Sequence, residues 1–234
     1  MTEVDLRLVI DIGKTHAKIH LLDKNLQPIS EHQHENRVVN QGPYAHFDTP
    51  ALWQWMLSTI TLLPGIEKAR ISAICITTHG AAAALIDRHN EELVLPILDY
   101  ESAAPETITN SYQKVRPAFS ETLSPELPLG LNLGRQLYWL AETFPSEFAR
   151  ATDILLLPQY WAWRFSGVLA AECSSLGCHT DLWNIAAQDY SSLVDVKGWR
   201  SLFPPLKKAW DALGPVRTNL QAHLGLPANC MVFA

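Results

Sequence analysis

Residues 6–23 read LRLVIDIGKTHAKIHLLD, and this stretch decides the expected fold. The apolar run Leu6–Ile12 is rich in β-branched residues, which is typical of a buried strand. Residues 17–23 alternate between apolar and polar side chains and predict a second strand. Because only a short segment around Gly13 separates the two runs, they predict an antiparallel hairpin. Residues 29–39 alternate weakly and predict a third strand, at the edge of the sheet.

The chain then changes from strand-like to helix-like patterning. Apolar residues at helical spacing predict a helix over 49–63, with Thr49 as its N-cap and Pro50 in its first turn. The run 70–77 predicts another buried strand. The remaining expected elements are a hairpin of strands 82–87 and 93–98, helices over 106–118, 134–143, 158–165 and 218–224, and a last strand over 230–234.

This order of elements indicates an α/β fold. Three antiparallel strands, a helix, a strand and a largely helical second half suit a ribonuclease-H-like or actin-like ATPase domain with a mixed sheet. Simple alternation of strands and helices would instead have indicated a doubly wound parallel sheet.

Composition excludes several classes of protein. The chain has 234 residues, 47% of them hydrophobic and 18% charged, which is enough apolar material for a sizeable core and excludes a disordered chain. The net charge of -6 argues against a nucleic-acid surface. No apolar run approaches the roughly 18 residues of a membrane span. Acids near the N-terminus argue against a signal peptide, and four cysteines without a Cys-x-x-Cys pair suit reduced thiols, so a cytoplasmic protein is expected.

The turn between the first two predicted strands carries the parts of a nucleotide phosphate site. Gly13 permits a tight backbone turn whose amides can hold phosphate oxygens, and Thr15 adds a hydroxyl donor. Lys14 and Lys18 add positive charge, and Asp11 can hold Mg²⁺ through water. The pattern is neither a Walker A loop nor a Rossmann fingerprint. By itself, such a hairpin is equally compatible with an ordinary turn.

Two further loops follow predicted strands, where ligands bind in α/β folds. In the first loop, the ring of His79 can donate a hydrogen bond to a hydroxylated ligand or accept one from it. The second loop offers two carboxylates and an aromatic face, which suit sugar hydroxyls and a sugar ring. A histidine that caps local backbone and a solvated loop are the structural alternatives. The candidate residues of the two loops are Thr78, His79, Gly80, Asp99, Tyr100 and Glu101.

Taken together, the motifs resemble the N-terminal domain of the FGGY family of carbohydrate kinases. Asp11-x-Gly13-x-Thr15-x-x-Lys18 resembles the family's first phosphate loop, and the segment from Thr78 to Asp87 resembles its sugar-contacting loop. Three later stretches are also similar to family segments, namely 157–167, 174–184 and the Gly-Leu-Pro-Ala run at 225–228 followed by Val232.

The resemblance implies an ATP-dependent kinase that phosphorylates a hydroxyl group of a sugar or polyol, with Mg²⁺ as the metal. It implies that residues 1–234 are the sugar-binding half and lack kinase activity alone. The C-terminal ATP-binding domain and an aspartate general base would then lie beyond residue 234. In this interpretation Asp11 is catalytic through water to Mg²⁺, together with Lys18. The phosphate would contact Gly13, Lys14 and Thr15, and the substrate would contact Thr78, His79, Gly80, Asp99, Tyr100 and Glu101.

The sequence departs from the family pattern at two places. Lys14 stands where a small serine or threonine is commonest, and it either adds charge at the phosphate or points to solvent. Ser102-Ala103-Ala104 replaces an Asp-x-Arg pattern, which prevents the assignment of a particular sugar.

Other functions stay open at this point. One is a non-catalytic sugar-binding or regulatory domain of the same fold, and another is a different actin-type phosphotransferase or phosphatase. An unpaired strand edge at 230–234 would let two copies pair, so a homo-oligomer is a further expectation.

Overall fold

The computed structural model describes residues 5–234, so the acidic N-terminal segment is described only from Asp5 onward. Its strands are β1 (Leu6–Ile12), β2 (His16–Leu22), β3 (Pro28–Glu35), β4 (Val38–Val39), β5 (His46–Phe47), β6 (Ile71–Thr78), β7 (Ala83–Asp87), β8 (Glu92–Leu93), β9 (Asp153–Leu156), β10 (Ala171–Glu172), β11 (Trp183–Asn184), β12 (Asp189–Tyr190), β13 (Leu206–Lys207), β14 (Ala212–Pro215) and β15 (Met231–Phe233).

The helices become more frequent in the second half of the chain. They are α1 (Thr49–Leu62), α2 (Gly65–Lys68), α3 (Thr109–Tyr112), α4 (Phe119–Thr122), α5 (Leu133–Thr143), α6 (Pro145–Phe148), α7 (Leu157–Ser166), α8 (Cys173–Leu176), α9 (Ser192–Val196) and α10 (Thr218–Leu224), with short 3₁₀ helices at Ala104–Ile108 and Arg200–Leu202. Within the described part of the chain, no helix has the length and apolar character needed to cross a bilayer.

A six-stranded mixed sheet in the order β14-β15-β6-β1-β2-β3 forms the centre of the fold. β1 and β2 pair antiparallel, β3 pairs antiparallel with β2 at the sheet edge, and β6 pairs parallel with β1. The three initial antiparallel strands are therefore confirmed. Alternate residues of β1 turn inward, and Leu8 and Ile10 are completely buried.

Helices α1 and α7 cover the inner face of this sheet. α1 contributes Met56 and Ile60 to the core, and α7 contributes Trp161 and Phe165. The N-cap of α1 is Asp48, not the expected Thr49, because the Asp48 carboxylate accepts a hydrogen bond of 3.0 Å from the backbone N–H of Ala51.

A second layer contains a three-stranded sheet in the order β8-β7-β9. The strand expected over 93–98 as the hairpin partner of β7 is wrong for most of its length. The pairing with β7 covers Glu92–Leu93 and one further hydrogen bond of 2.9 Å, from the Val94 N–H to the Leu85 carbonyl. The main partner of β7 is β9, which lies far away in the sequence. Pro96 lacks a backbone N–H for a ladder, and its carbonyl instead accepts a hydrogen bond of 2.7 Å from the Tyr44 hydroxyl.

Two other expectations need correction. The helix expected over 106–118 ends at Tyr112. Pro117 disfavours a helical conformation at Arg116, the residue before it. The Arg116 guanidinium instead lies 3.0 Å from the carboxylate of the buried Asp181. The last strand is not an unpaired edge, because β15 lies between β14 and β6. The basis for pairing two copies at this edge is therefore removed.

Candidate functional site

The β1–β2 turn (residues 13–15) lies at the carboxyl end of β1, beside the end of the parallel strand β6. The N–H of Gly13 donates to the carbonyl oxygen of His16 at 2.9 Å, and Asn36 Nδ2 donates to the Gly13 carbonyl at 2.8 Å. A Cβ atom at position 13 would lie only 3.0 Å from that His16 oxygen. A side chain at position 13 would therefore crowd the turn, which favours glycine there.

Asp11 and Lys18 lie next to each other in the register of β1 and β2. Asp11 is exposed, and no hydrogen bond or ion pair found among residues 5–234 engages its carboxylate. Lys18 is engaged elsewhere, because its Nζ lies 3.2 Å from Glu31 Oε1 on β3. The turn thus presents a carboxylate that is free to bind a cation.

Lys14 does not point to solvent, since its side chain is only 17% exposed. Its ammonium contacts the carboxylate of Asp99 and lies 3.4 Å from Glu101 Oε2. The same atom lies 5.1 Å from the ring centroids of Phe47 and Tyr100. Lys14 therefore connects the β1–β2 turn to the loop of residues 99–101.

The pocket loop (residues 79–81) begins where β6 ends. The backbone N–H of His79 donates to the Ile12 carbonyl at 2.8 Å, which ties the pocket loop to the end of β1. The ring Nδ1 of His79 lies 2.9 Å from the Gly80 carbonyl and donates to it, so Nε2 is the unprotonated nitrogen. Nε2 is buried and has no partner among the residues that the structure describes.

The environment of His79 keeps its ring neutral. Burial lowers the pKa of this imidazole below its ordinary value, although the hydrogen bond to Gly80 opposes the effect. The rings of Phe47 and Tyr100 pack on it, with centroids at 4.8 and 5.3 Å. A neutral imidazole whose Nδ1 is occupied presents Nε2 as a hydrogen-bond acceptor.

Two cavities open on either side of the pocket loop, with volumes of about 220 and about 210 Å³. They share His79, Gly80, Ala81 and Cys178 as lining residues. The first cavity is also lined by Thr78, Ala82, Pro158, Ser174 and Ser175, and the second by Tyr100, Leu127, Leu131 and His179. Four of the six candidate loop residues, those at 78–80 and 100, therefore line a cavity.

Gln136 is a residue of this site that the sequence analysis missed. Its buried Nε2 donates to the Ala81 carbonyl at 2.6 Å and also to the Gly130 carbonyl. The N–H of Gly130 in turn donates to the Tyr100 carbonyl at 2.8 Å. A polar residue on the buried face of the predicted helix 134–143 was the available signal.

The far wall of the first cavity is held by Glu172. Its carboxylate accepts hydrogen bonds of 2.9 Å from the N–H groups of both Ser174 and Ser175. Burial opposes ionisation of this carboxyl, but the hydrogen bonds from Ser174 and Ser175 outweigh it and lower the pKa of Glu172. Two serines are thereby fixed beside the pocket loop.

Comparison with known proteins identifies the family. The sequence model described as the FGGY family of carbohydrate kinases, N-terminal domain, matches residues 6–234. The chain belongs to this family. The resemblance inferred from the motifs is therefore confirmed, and so is the actin-like ATPase fold class.

Several FGGY relatives are similar over nearly the whole chain. An L-fuculokinase of Salmonella typhi is 24% identical over 98% of this chain and 50% of its own length. An L-xylulose/3-keto-L-gulonate kinase of Escherichia coli is 24% identical over 96% of this chain and 47% of its own. The crystal structure of a carbohydrate kinase from Novosphingobium aromaticivorans superposes with a TM-score of 0.89 at 33% identity, covering 97% of this chain and 48% of that one. This FGGY domain thus spans about half the length of the curated relatives it matches.

Proposed function

We propose that this FGGY domain is the sugar-binding half of an ATP-dependent kinase that phosphorylates a hydroxyl group of a sugar or polyol. The hydrogen bond from the His79 N–H to the Ile12 carbonyl carries the proposal, since it joins the pocket loop to the strand that ends in the β1–β2 turn. A phosphate held at that turn and a hydroxyl held in the cavity would then be neighbours, as phosphoryl transfer requires.

The residues of the β1–β2 turn fit a magnesium nucleotide. Kinases of this family use ATP, generally with Mg²⁺. The exposed carboxylate of Asp11 is a hard oxygen donor without a partner among residues 5–234, which suits Mg²⁺ bound through water. Gly13 would keep the turn tight, because its own N–H donates to the His16 carbonyl. The later backbone N–H groups of the turn and the Thr15 hydroxyl would hold phosphate oxygens, and Lys18 would offset their charge once released from Glu31. The nucleotide supplies the phosphoryl group and the metal balances its charge.

On the substrate side, His79 is the centre of the proposed site. Its Nε2 would accept a hydrogen bond from a substrate hydroxyl and so orient that group. The ring of Tyr100 offers an apolar face to a sugar ring, and Thr78, Gly80, Asp99 and Glu101 complete the surroundings. We assign Lys14 to this side, as a support for Asp99 and Glu101, and not to the phosphate. The group that takes the hydroxyl proton would belong to a part of the enzyme outside residues 1–234.

Ligand binding to the 234-residue chain tests this proposal directly. Thermal unfolding would be followed in the presence of a panel of pentoses, hexoses, ketoses and polyols, with ATP turnover measured in parallel. A ligand at 100 times its Kd stabilises the native state by about 2.7 kcal/mol, which raises the Tm by roughly 5–10 °C in a chain of this size. We expect one group of sugars to do so, without ATP turnover by the chain alone.

The variant His79→Ala should abolish this stabilisation by sugar. His89→Ala is the matched control, because His89 is exposed in the turn between β7 and β8. If no sugar or polyol stabilises the chain, or if both variants respond alike, the proposed site is wrong. Sugar binding without phosphorylation by any longer form of the protein would instead favour a non-catalytic sugar-binding or regulatory domain.

A further inference from the structure

Asn36, the residue that follows β3, is polar and yet only 8% exposed. Two of its groups donate hydrogen bonds to the β1–β2 turn. Its Nδ2 donates to the Gly13 carbonyl at 2.8 Å, and its backbone N–H donates to the Thr15 carbonyl at 2.9 Å. Asn36 therefore holds two carbonyl groups of the turn from the side on which β3 lies.

The hydrogen bond from Asn36 Nδ2 replaces one that a two-residue hairpin turn ordinarily makes. In such a turn, the two residues that flank it exchange both of their backbone hydrogen bonds. Here the Gly13 N–H donates to the His16 carbonyl at 2.9 Å, but within residues 5–234 the His16 N–H makes no return bond to the Gly13 carbonyl. That carbonyl is turned to Asn36 instead, so the His16 N–H is left without its usual acceptor.

The neighbouring strand β3 does not use the His16 N–H either. Along an antiparallel ladder, hydrogen-bonded pairs of residues alternate with non-bonded pairs. The hydrogen bond between Asn36 and Thr15 makes these two a bonded pair, so the next pair in the register, His16 and Glu35, is a non-bonded one.

The same two hydrogen bonds set the direction of the free N–H groups. In a trans peptide the C=O and the N–H point in opposite directions. Because the carbonyls of Gly13 and Thr15 face Asn36, the N–H groups of Lys14 and His16 face away from it. The Lys14 N–H has no acceptor among the residues that the structure describes. Backbone N–H groups left free in a turn of this kind can bind an anion.

We infer that Asn36 is a positioning residue for the phosphate, because it keeps the N–H groups of Lys14 and His16 free and aimed at one place. The inference rests on the proposed function, since it concerns the phosphate that the β1–β2 turn would hold. Without the Nδ2 donor, the His16 N–H would donate to the Gly13 carbonyl. The turn would then be an ordinary hairpin that offers a phosphate one donor fewer.

Two substitutions remove the Nδ2 donor in different ways. Asn36→Ala also removes volume, whereas Asn36→Leu keeps the approximate size of the side chain and carries the test if the alanine variant does not fold. Both variants retain the backbone N–H that donates to the Thr15 carbonyl. Asn25→Ala is the matched control, because Asn25 is an exposed asparagine in the turn between β2 and β3.

Amide hydrogen exchange of the 234-residue chain, resolved by NMR, gives a readout that a merely structural role would not produce. We expect the His16 amide to exchange about tenfold more slowly in both Asn36 variants than in the native chain, because it gains an acceptor. If Asn36 only stabilised the turn, its loss would speed up exchange there. Equal or faster exchange of the His16 amide in the folded variants would overturn the inference.

Binding of inorganic tripolyphosphate with Mg²⁺ is the second test. Its Kd would be measured on the same chain from the shifts of the Lys14 and His16 amide signals. One hydrogen bond to a charged group contributes at least about 1.5 kcal/mol, so we expect binding to weaken about tenfold in both Asn36 variants and to stay unchanged in Asn25→Ala.

The failure of the inference and that of the proposed function give different results. Unchanged tripolyphosphate affinity in the Asn36 variants would overturn the inference and leave the proposed function intact. If the native chain did not bind tripolyphosphate at the β1–β2 turn, the phosphate site of the proposed function would be wrong, and the inference with it.

Discussion

The β1–β2 turn and the sugar pocket lie side by side but are assembled in different ways. The turn is made by two strands that follow one another in sequence, and its hydrogen bonds join residues close along the chain, such as Gly13 and His16. The pocket collects residues from five segments of the chain, and the hydrogen bonds of Gln136 and Gly130 connect three of them. A local turn depends on its own residues, whereas a pocket built from distant loops depends on the buried groups behind it.

The largest effect is expected from the buried Asp181, which anchors the wall behind the pocket. Its carboxylate accepts hydrogen bonds of 2.8 Å from the Tyr112 hydroxyl and 3.0 Å from Arg116 Nε. Asp181→Ala would remove the close carboxylate partner of Arg116 and leave it only the Ser124 carbonyl at 2.9 Å and Glu126 at 4.0 Å among the described residues. We expect the unfolding free energy to fall by about 3 kcal/mol. Urea denaturation would measure this loss.

Asp189→Ala is the matched control for Asp181. Asp189 also pairs with an arginine, Arg200 at 2.7 Å, but both side chains are about half exposed. An exposed ion pair contributes less than about 1 kcal/mol. Equal losses in the two variants would contradict the idea that buried groups behind the pocket set its stability.

The next effect tests the link between the loops. Gln136→Leu removes the donor to the Ala81 and Gly130 carbonyls, and leaving one such buried acceptor unpaired costs about 1–3 kcal/mol. We expect sugar affinity to fall at least tenfold as well, because both cavities share the pocket loop. Gln188→Leu changes an exposed glutamine that contacts only the Ile185 carbonyl, and it should change neither quantity. A loss of stability with unchanged sugar affinity would separate Gln136 from the pocket.

The same contrast explains what the sequence could predict. Periodicity identified β1, β2, α7 and α10 to within one residue, because these elements are defined by their own apolar spacing. It missed β14, whose Ala-Leu-Gly-Pro sequence contains two residues that strands disfavour. It also could not pair β7 with β9, since that pairing joins segments far apart in the chain.

In the candidate site, too, contacts between residues close in sequence were predictable and contacts between distant segments were not. The sequence predicted the hairpin that carries Asp11 and Lys18, and the structure adds the antiparallel register that makes them neighbours. The direction of Lys14 was not foreseen, because its partners Asp99 and Glu101 lie in a distant loop. Asp99 is 85 residues away from Lys14 in the sequence. Their roles in binding stay predictions.

A smaller effect should separate the turn from the pocket. Gly13→Ala places a Cβ at 3.0 Å from the His16 carbonyl, and relieving such a contact costs about 1–3 kcal/mol. Gly80→Ala is the control inside the pocket loop, because a Cβ there meets nothing within 4 Å. We expect Gly13→Ala to lower the Tm with little change in sugar affinity, and Gly80→Ala to leave the Tm unchanged. A large loss of sugar affinity in Gly13→Ala would show that the two regions are not separable.

The smallest effect is the pH dependence that His79 contributes. Burial lowers the pKa of its folded-state imidazole below the ordinary value of 6.5, so the unfolded chain binds this proton more readily than the native state. Native stability must therefore fall as the pH drops below 6.5, and the loss stops growing once the folded imidazole is also protonated. Above that range both states are neutral and His79 contributes no pH dependence.

Sugar affinity should decline only at the acidic end of this range, as the pH falls through the lowered folded-state pKa of His79, because a protonated Nε2 can no longer accept a hydrogen bond. The measurement is the Tm and the sugar Kd from pH 8 to pH 5 for the native chain and for His79→Gln, which keeps a polar side chain that does not titrate. All other residues are the same in both proteins, so the difference between the two curves isolates His79. If acid weakens sugar binding while the two Tm curves stay parallel, protonation at this site weakens ligand binding but does not lower the stability of the fold. If neither changes, His79 does not face the substrate, and the pocket would have to recognise its ligand through the backbone and serine groups alone.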